Sequence, residues 1–139
     1  MATWDGMLSG GVVLIMLFGL ALAALGNTPL FALLNDPVNE AMWGGLPPEE
    51  GVAMRGFDYG MLGATMAGWG LTLWFVVAIP FRQRHVWAWN AVLFSVLLWF
   101  VVNTAVSTYY GIWSNAVFNT FILVLMVVPL WKLRGEFKR

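Results

Sequence analysis

The sequence predicts an all-α polytopic membrane protein, a four-transmembrane-helix bundle with a short-helical extracytoplasmic loop between helices 1 and 2. Three observations predict it. Runs without Asp, Glu, Lys, Arg or His cover residues 6–35, 59–81 and 86–131, the last reaching 135 if Lys132 and Arg134 are taken as the charged end of a final crossing. About 20 apolar residues span a bilayer as one helix, so the first two runs supply one crossing each and the third supplies two joined by a turn. Composition agrees: with 60% hydrophobic and only 10% charged residues, a soluble chain of 139 residues has too little polar surface to cover itself. The basic residues are also segregated. Six of the seven (Arg82, Arg84, Lys132, Arg134, Lys138 and Arg139) fall in the 2–3 loop or the tail, which an even number of crossings puts on one side.

At this length one domain, residues 1–139, is expected. The first crossing is placed at about 7–27, where the apolar run Val12 to Leu25 follows a start without the positive region of a secretory signal and is read as retained. Glycines 10, 11, 19 and 26 suit it to close packing. The outer loop, about 28–57, carries Pro29, Pro37, Pro47, Pro48 and the acids Asp36, Glu40, Glu49 and Glu50 among apolar residues. That mixture points to short helices at the interface or capping the bundle. Pro47-Pro48-Glu49-Glu50 reads as a helix start, with acids near the positive end of the dipole, so helix 2 begins outside the membrane.

The second crossing, about 58–80, carries Gly56, Gly60, Ala64 and Gly68 at four-residue spacing, with Gly63 and Ala67 beside them. Small residues in such a row let another backbone approach, either inside the bundle or across a homodimer seam. Pro80 and the basic loop Arg82 to His85 end it. The third and fourth crossings, about 86–109 and 112–133, are joined by a turn at Tyr110-Gly111. The basic loop and tail put both termini on the cytoplasmic side of a prokaryotic inner membrane, and five of the seven acids lie on the other side.

A hairpin pivoting on Gly111 pairs Ser107 with Asn115 and Asn103 with Asn119 at equal depth, the second pair roughly 12 Å below the turn. An amide left unpaired in hydrocarbon is costly, so these side chains point inward and bond to one another or to backbone. They are either interhelical glue or the polar end of a pocket opening outward, with Arg55, Asp58 and Tyr59 at its mouth and Trp69 and Trp99 as an apolar floor. Arg55 and Asp58 also read as an ordinary interfacial ion pair.

Several chemistries are set aside. With no cysteine there is no disulfide, thiolate metal site or thiol catalysis. The single histidine, His85, excludes a haem held by two histidines within the chain. No lysine lies in the membrane interior to form a Schiff base, Lys132 being the charged end of the last crossing, and Met54, Met61 and Met66 are spaced irregularly, as core residues rather than copper ligands. The net charge of zero gives no footprint for nucleic acid. With no acid–base pair inside the bundle, no catalytic residue, metal or cofactor is expected.

The layout resembles a known family. A first helix, a Pro-containing outer loop, the stretch Arg55-Gly56-Phe57-Asp58-Tyr59-Gly60-Met61-Leu62-Gly63-Ala64 opening helix 2, a basic 2–3 loop and a tight 3–4 hairpin are similar to the small four-helix bacterial membrane proteins of the DoxX-like group. The resemblance implies this architecture in a prokaryotic inner membrane, some members of the group being linked to redox partners in membrane complexes. The function expected is an accessory or structural, non-catalytic subunit of a larger membrane assembly, with other subunits or further copies of the chain as partners. The alternative is a small-molecule or lipid binder or carrier using the outer polar pocket.

Overall fold

A computed structural model describes residues 2–137 of the chain. Helix α1 spans Ala2–Leu25, a 3-10 turn Pro29–Phe31 leads into α2 at Ala32–Trp43, and α3 spans Glu49–Val76 and runs on through a π turn, Val77–Phe81. Helices α4 (Val86–Tyr109) and α5 (Trp113–Leu133) follow, with a closing 3-10 turn at Arg134–Glu136. Four helices are long and apolar enough to cross a membrane: α1, α3 with its π turn, α4 and α5. Their outward faces carry exposed Leu17, Phe75, Phe94, Leu98, Val101 and Phe121, a surface that hydrocarbon covers and water would not tolerate. The third element, Glu49–Phe81, has 33 residues. At 1.5 Å each that is about 50 Å, well beyond a hydrocarbon core of about 30 Å, so its first turns project past the membrane.

Helix α1 packs between α3 and α5, and α4 packs on α5; α3 and α4 meet mainly through the π turn and one tryptophan pair. The α1–α3 seam is set by small residues. A methyl built on Gly63 would strike the Gly19 carbonyl oxygen, one on Gly19 would lie 2.6 Å from the Ala67 nitrogen, and one on Gly70 would lie 2.9 Å from the Met16 Cα. The close-packing face is therefore Gly63, Ala67 and Gly70, which corrects the row expected from sequence. Gly60 and Gly68 have open space where a Cβ would stand, Ala64 is exposed, and Gly56 meets only the Asn27 side chain. The physical reason is helical drift. Each four-residue step advances about 400°, so a strict i+4 row winds off a face by about 40° per step, while i, i+4, i+7 stays on it.

The half of the bundle nearer the described chain ends is filled by Leu8, Val12 and Ile15 of α1, Val77 and Phe81 of the π turn, Val92 and Val96 of α4, and Met126 and Leu130 of α5. Pro80 lacks the amide that an α-helix needs, and the wider π turn carries the chain past it to Phe81. Arg84 then takes a left-handed backbone, φ 61°. From there its guanidinium donates to both carboxylate oxygens of Asp5 at 2.8 and 2.9 Å, reaches Glu136 at 2.6 Å and stands 5.6 Å from the Phe137 ring centre. The hydrogen bonds that Arg84 donates to the Asp5 carboxylate hold its cation protonated above the usual arginine range. One side chain thus ties the start of α1, the α3–α4 loop and the C-terminal turn together. Beside it, the Trp89 indole donates to the Leu130 carbonyl at 2.9 Å, satisfying an oxygen near the end of α5.

At the other end α2 lies across the mouth of the bundle. The Asn35 amide donates to the Gly26 carbonyl at 3.0 Å, and Asn27 donates to the Val52 carbonyl at 2.8 Å. Arg55 donates to Asn27 Oδ1 at 2.8 Å and to Asn39 Oδ1. Gly44, at φ 66°, ends α2 with its amide on the Glu40 carbonyl, the left-handed turn that glycine adopts without strain.

Candidate functional site: a polar cavity in the α4–α5 hairpin

The hairpin turns at Gly111, φ 75°, and closes with the Ile112 amide on the Ser107 carbonyl at 2.8 Å. This register puts Ser107 opposite Asn115 and Asn103 opposite Asn119. The Ser107 hydroxyl donates its one proton to the nearer of two acceptors, the Asn103 backbone carbonyl at 2.7 Å and not the Asn103 Oδ1 at 3.4 Å. The Asn115 atom 2.6 Å from that hydroxyl must then be a donor, which fixes the amide with Nδ2 toward Ser107. The same Nδ2 lies 3.1 Å from the Asn103 side chain, so the atom facing it there is Oδ1. Asn119 in turn points Nδ2 at Asn103 Oδ1, 2.9 Å away, and at Thr104 Oγ1, 3.3 Å away. One hydroxyl therefore sets the orientation of three amides.

Donors converge on Asn103 Oδ1, and this leaves a remainder. Among the described residues, Asn103 Nδ2 and the amide oxygens of Asn115 and Asn119 have no protein partner. All three side chains line a cavity of about 110 Å³, bounded also by Tyr59 and Met66 of α3 and by Trp99. Asn119 is only 1% exposed, so its amide is held inside the protein. A second, wholly apolar hollow of about 60 Å³ adjoins it, walled by Ile15, Trp69, Trp99 and Ile122; the Trp69 and Trp99 rings stand 5.8 Å apart. On the other flank a groove of about 510 Å³ opens outward between α2 and α5, lined by the exposed Leu30, Leu33, Val117 and Phe121. Phe18 and Phe118, with ring centres 5.1 Å apart, border all three spaces.

The structure thus gathers Tyr59, Trp99, Asn103, Asn115 and Asn119 around one space, with Ser107 buried behind the amides as their anchor and Trp69 in the adjoining hollow. Asp58 does not join them: it is exposed and lies about 140° round α3 from the Gly63 seam that fixes the helix's rotation. Nor does Arg55 pair with Asp58; its bonds go to Asn27 and Asn39, because the turn after α1 and the capping helix α2 each bring it an amide oxygen. That asparagine collar was missed in the sequence, although Asn35 and Asn39 stand at i, i+4 in α2 and so share one face. Among the described residues no group of three or more His, Asp or Glu side chains comes together to hold a metal. Chemically, the site offers hydrogen bonds, the Tyr59 hydroxyl among them, and apolar contact, and no carboxylate, histidine, lysine or arginine side chain lines it.

Comparison with protein-family models, with curated proteins and with solved structures finds no match for this chain.

Proposed function

We propose that the chain binds a small amphiphile, a lipid or lipid-like molecule, with its polar head against Asn103, Asn115 and Asn119 and its apolar body in the spaces beyond. One observation carries this reading: three amide atoms without a protein partner belong to side chains that line one cavity, whose other walls are aromatic and aliphatic apart from Ser114 and the Tyr59 hydroxyl. Amides that served only to hold α4 to α5 would be satisfied by one another. Three convergent polar groups in an apolar hollow are what a binding site between bundle helices consists of. A volume of about 110 Å³ suits a head and the first carbons of a tail, since a dry cavity of about 150 Å³ is enough to bind benzene. The outer groove gives the rest of the tail an apolar bed at the edge of the bilayer.

The chain also serves as a non-catalytic subunit of a membrane assembly in this proposal, a reading favoured by the open face at Gly60, Ala64 and Gly68, where another helix could approach closely. The setting proposed is a prokaryotic inner membrane with both termini cytoplasmic. Support comes from the basic residues Arg82, Arg84, Lys132 and Arg134 at the end where Arg84 joins Asp5 and Glu136. The four-helix layout supports kinship with the DoxX-like group.

The test is solvent extraction of protein purified in mild detergent, with mass spectrometry of the extract. About one defined small molecule per chain is expected from the wild type and none from Asn119→Leu. Equal recovery from both would remove the cavity as the binding site.

A further inference from the structure

We infer that the cavity selects a neutral, hydroxyl-headed amphiphile, a long-chain alcohol or an acylglycerol, over anionic heads and over heads that only accept hydrogen bonds. This rests on the amphiphile-binding reading and deepens it. The argument is the proton count in the hairpin. Because the Ser107 proton goes to backbone, the amide of Asn115 must donate to Ser107, Asn103 must accept, and Asn119 must donate. The groups left for a ligand are one donor, Asn103 Nδ2, and two acceptors, the oxygens of Asn115 and Asn119. The Tyr59 and Ser114 hydroxyls, which line the same space, can each turn either way.

A hydroxyl head fits that set, donating to an amide oxygen while accepting from Asn103 Nδ2. An ether or ester head can accept from Asn103 but brings no donor for either amide oxygen, and a polar group left unpaired on binding carries its desolvation cost. A carboxylate fares worse. No charged side chain lines the cavity, and its oxygens would be set against two amide oxygens. The tail follows from the shape: the exits from the head site pass Phe18 and Phe118 to the outer groove, or Trp99 to the inner hollow, and both are apolar.

The experiment measures thermal unfolding of delipidated protein in detergent against rising hexadecan-1-ol, its methyl ether, and hexadecanoate at pH 8.5. Half-maximal stabilisation is expected at a concentration at least about tenfold lower for the alcohol than for the other two, a ratio of the size one unpaired buried group produces. Asn119→Leu, or Asn115→Leu should the first not fold, is expected to lose that preference. If ether or carboxylate stabilises as well as the alcohol, the head class is wrong while amphiphile binding stands. If none of the three stabilises the wild type, amphiphile binding itself fails and the amides are satisfied by water.

Discussion

At Gly63 the whole α1–α3 seam depends on the lack of a methyl group. The nearest atoms to a Cβ there belong to the α1 backbone, the Gly19 carbonyl and the Ala23 nitrogen, and these move only if the helix moves. Gly63→Ala should therefore cost about 2–3 kcal/mol. Gly60→Ala, one turn away with open space around it, should be neutral or stabilising by up to about 1 kcal/mol through helix propensity. Thermal unfolding in detergent separates the two, and equal effects would refute the seam. Sequence spacing showed that this helix has a small-residue face but misplaced it, because a strict four-residue row drifts off any one face. The hairpin residues were more legible. A single pivot at Gly111 fixes their depth, and burial of polar groups in hydrocarbon fixes their direction. What spacing could not reveal is which amide atoms stay unpaired, since that turns on where the Ser107 proton goes. Asn119→Ala removes two interhelical hydrogen bonds, one to Asn103 and one to Thr104, worth about 0.6 kcal/mol each in membranes. A loss of about 1 kcal/mol is expected in the same assay.

Among the elements, the α3–α4 loop is the one held under strain. Arg84 accepts a left-handed backbone that costs a residue with a Cβ about 1–2 kcal/mol, and in return reaches Asp5 and Glu136 together. The two contributions come apart by substitution. Arg84→Ala keeps the strain and loses the ion pairs, whereas Arg84→Gly loses both, so unfolding should rank wild type above Gly and Gly above Ala. A ranking with Ala equal to wild type would show that the bridge contributes nothing. The sequence disclosed this loop only as a basic stop and gave no sign of its partners, because Asp5 and Glu136 are far from it along the chain and meet it only once the bundle closes. Helix α2 was partly legible: the prolines and apolar residues of the loop that contains it indicated a cap. Its attachment through Asn27, Asn35, Asn39 and Arg55 depends on contacts between three separate elements.

For the molecule as a whole, the fold class was readable because charge-free length is so strong a signal in a bilayer, and the four long apolar helices follow from it. The order of packing was not readable, since helices apolar on every side carry no periodic mark of which side faces a neighbour. Topology is directly testable in a chain without native cysteine: cysteines replacing Glu50 and Gln83 should label from opposite sides of the membrane, and labelling from one side would reverse the reading. The central claim is the proposal that the half of this bundle capped by α2 holds a bound amphiphile. Native mass spectrometry of protein released gently from its own membranes at natural abundance tests it most directly. A chain, alone or in an assembly, carrying one defined small mass that Asn119→Leu does not retain is the expected result; a chain that flies bare, or beside other polypeptides with no small mass on it, would contradict the claim.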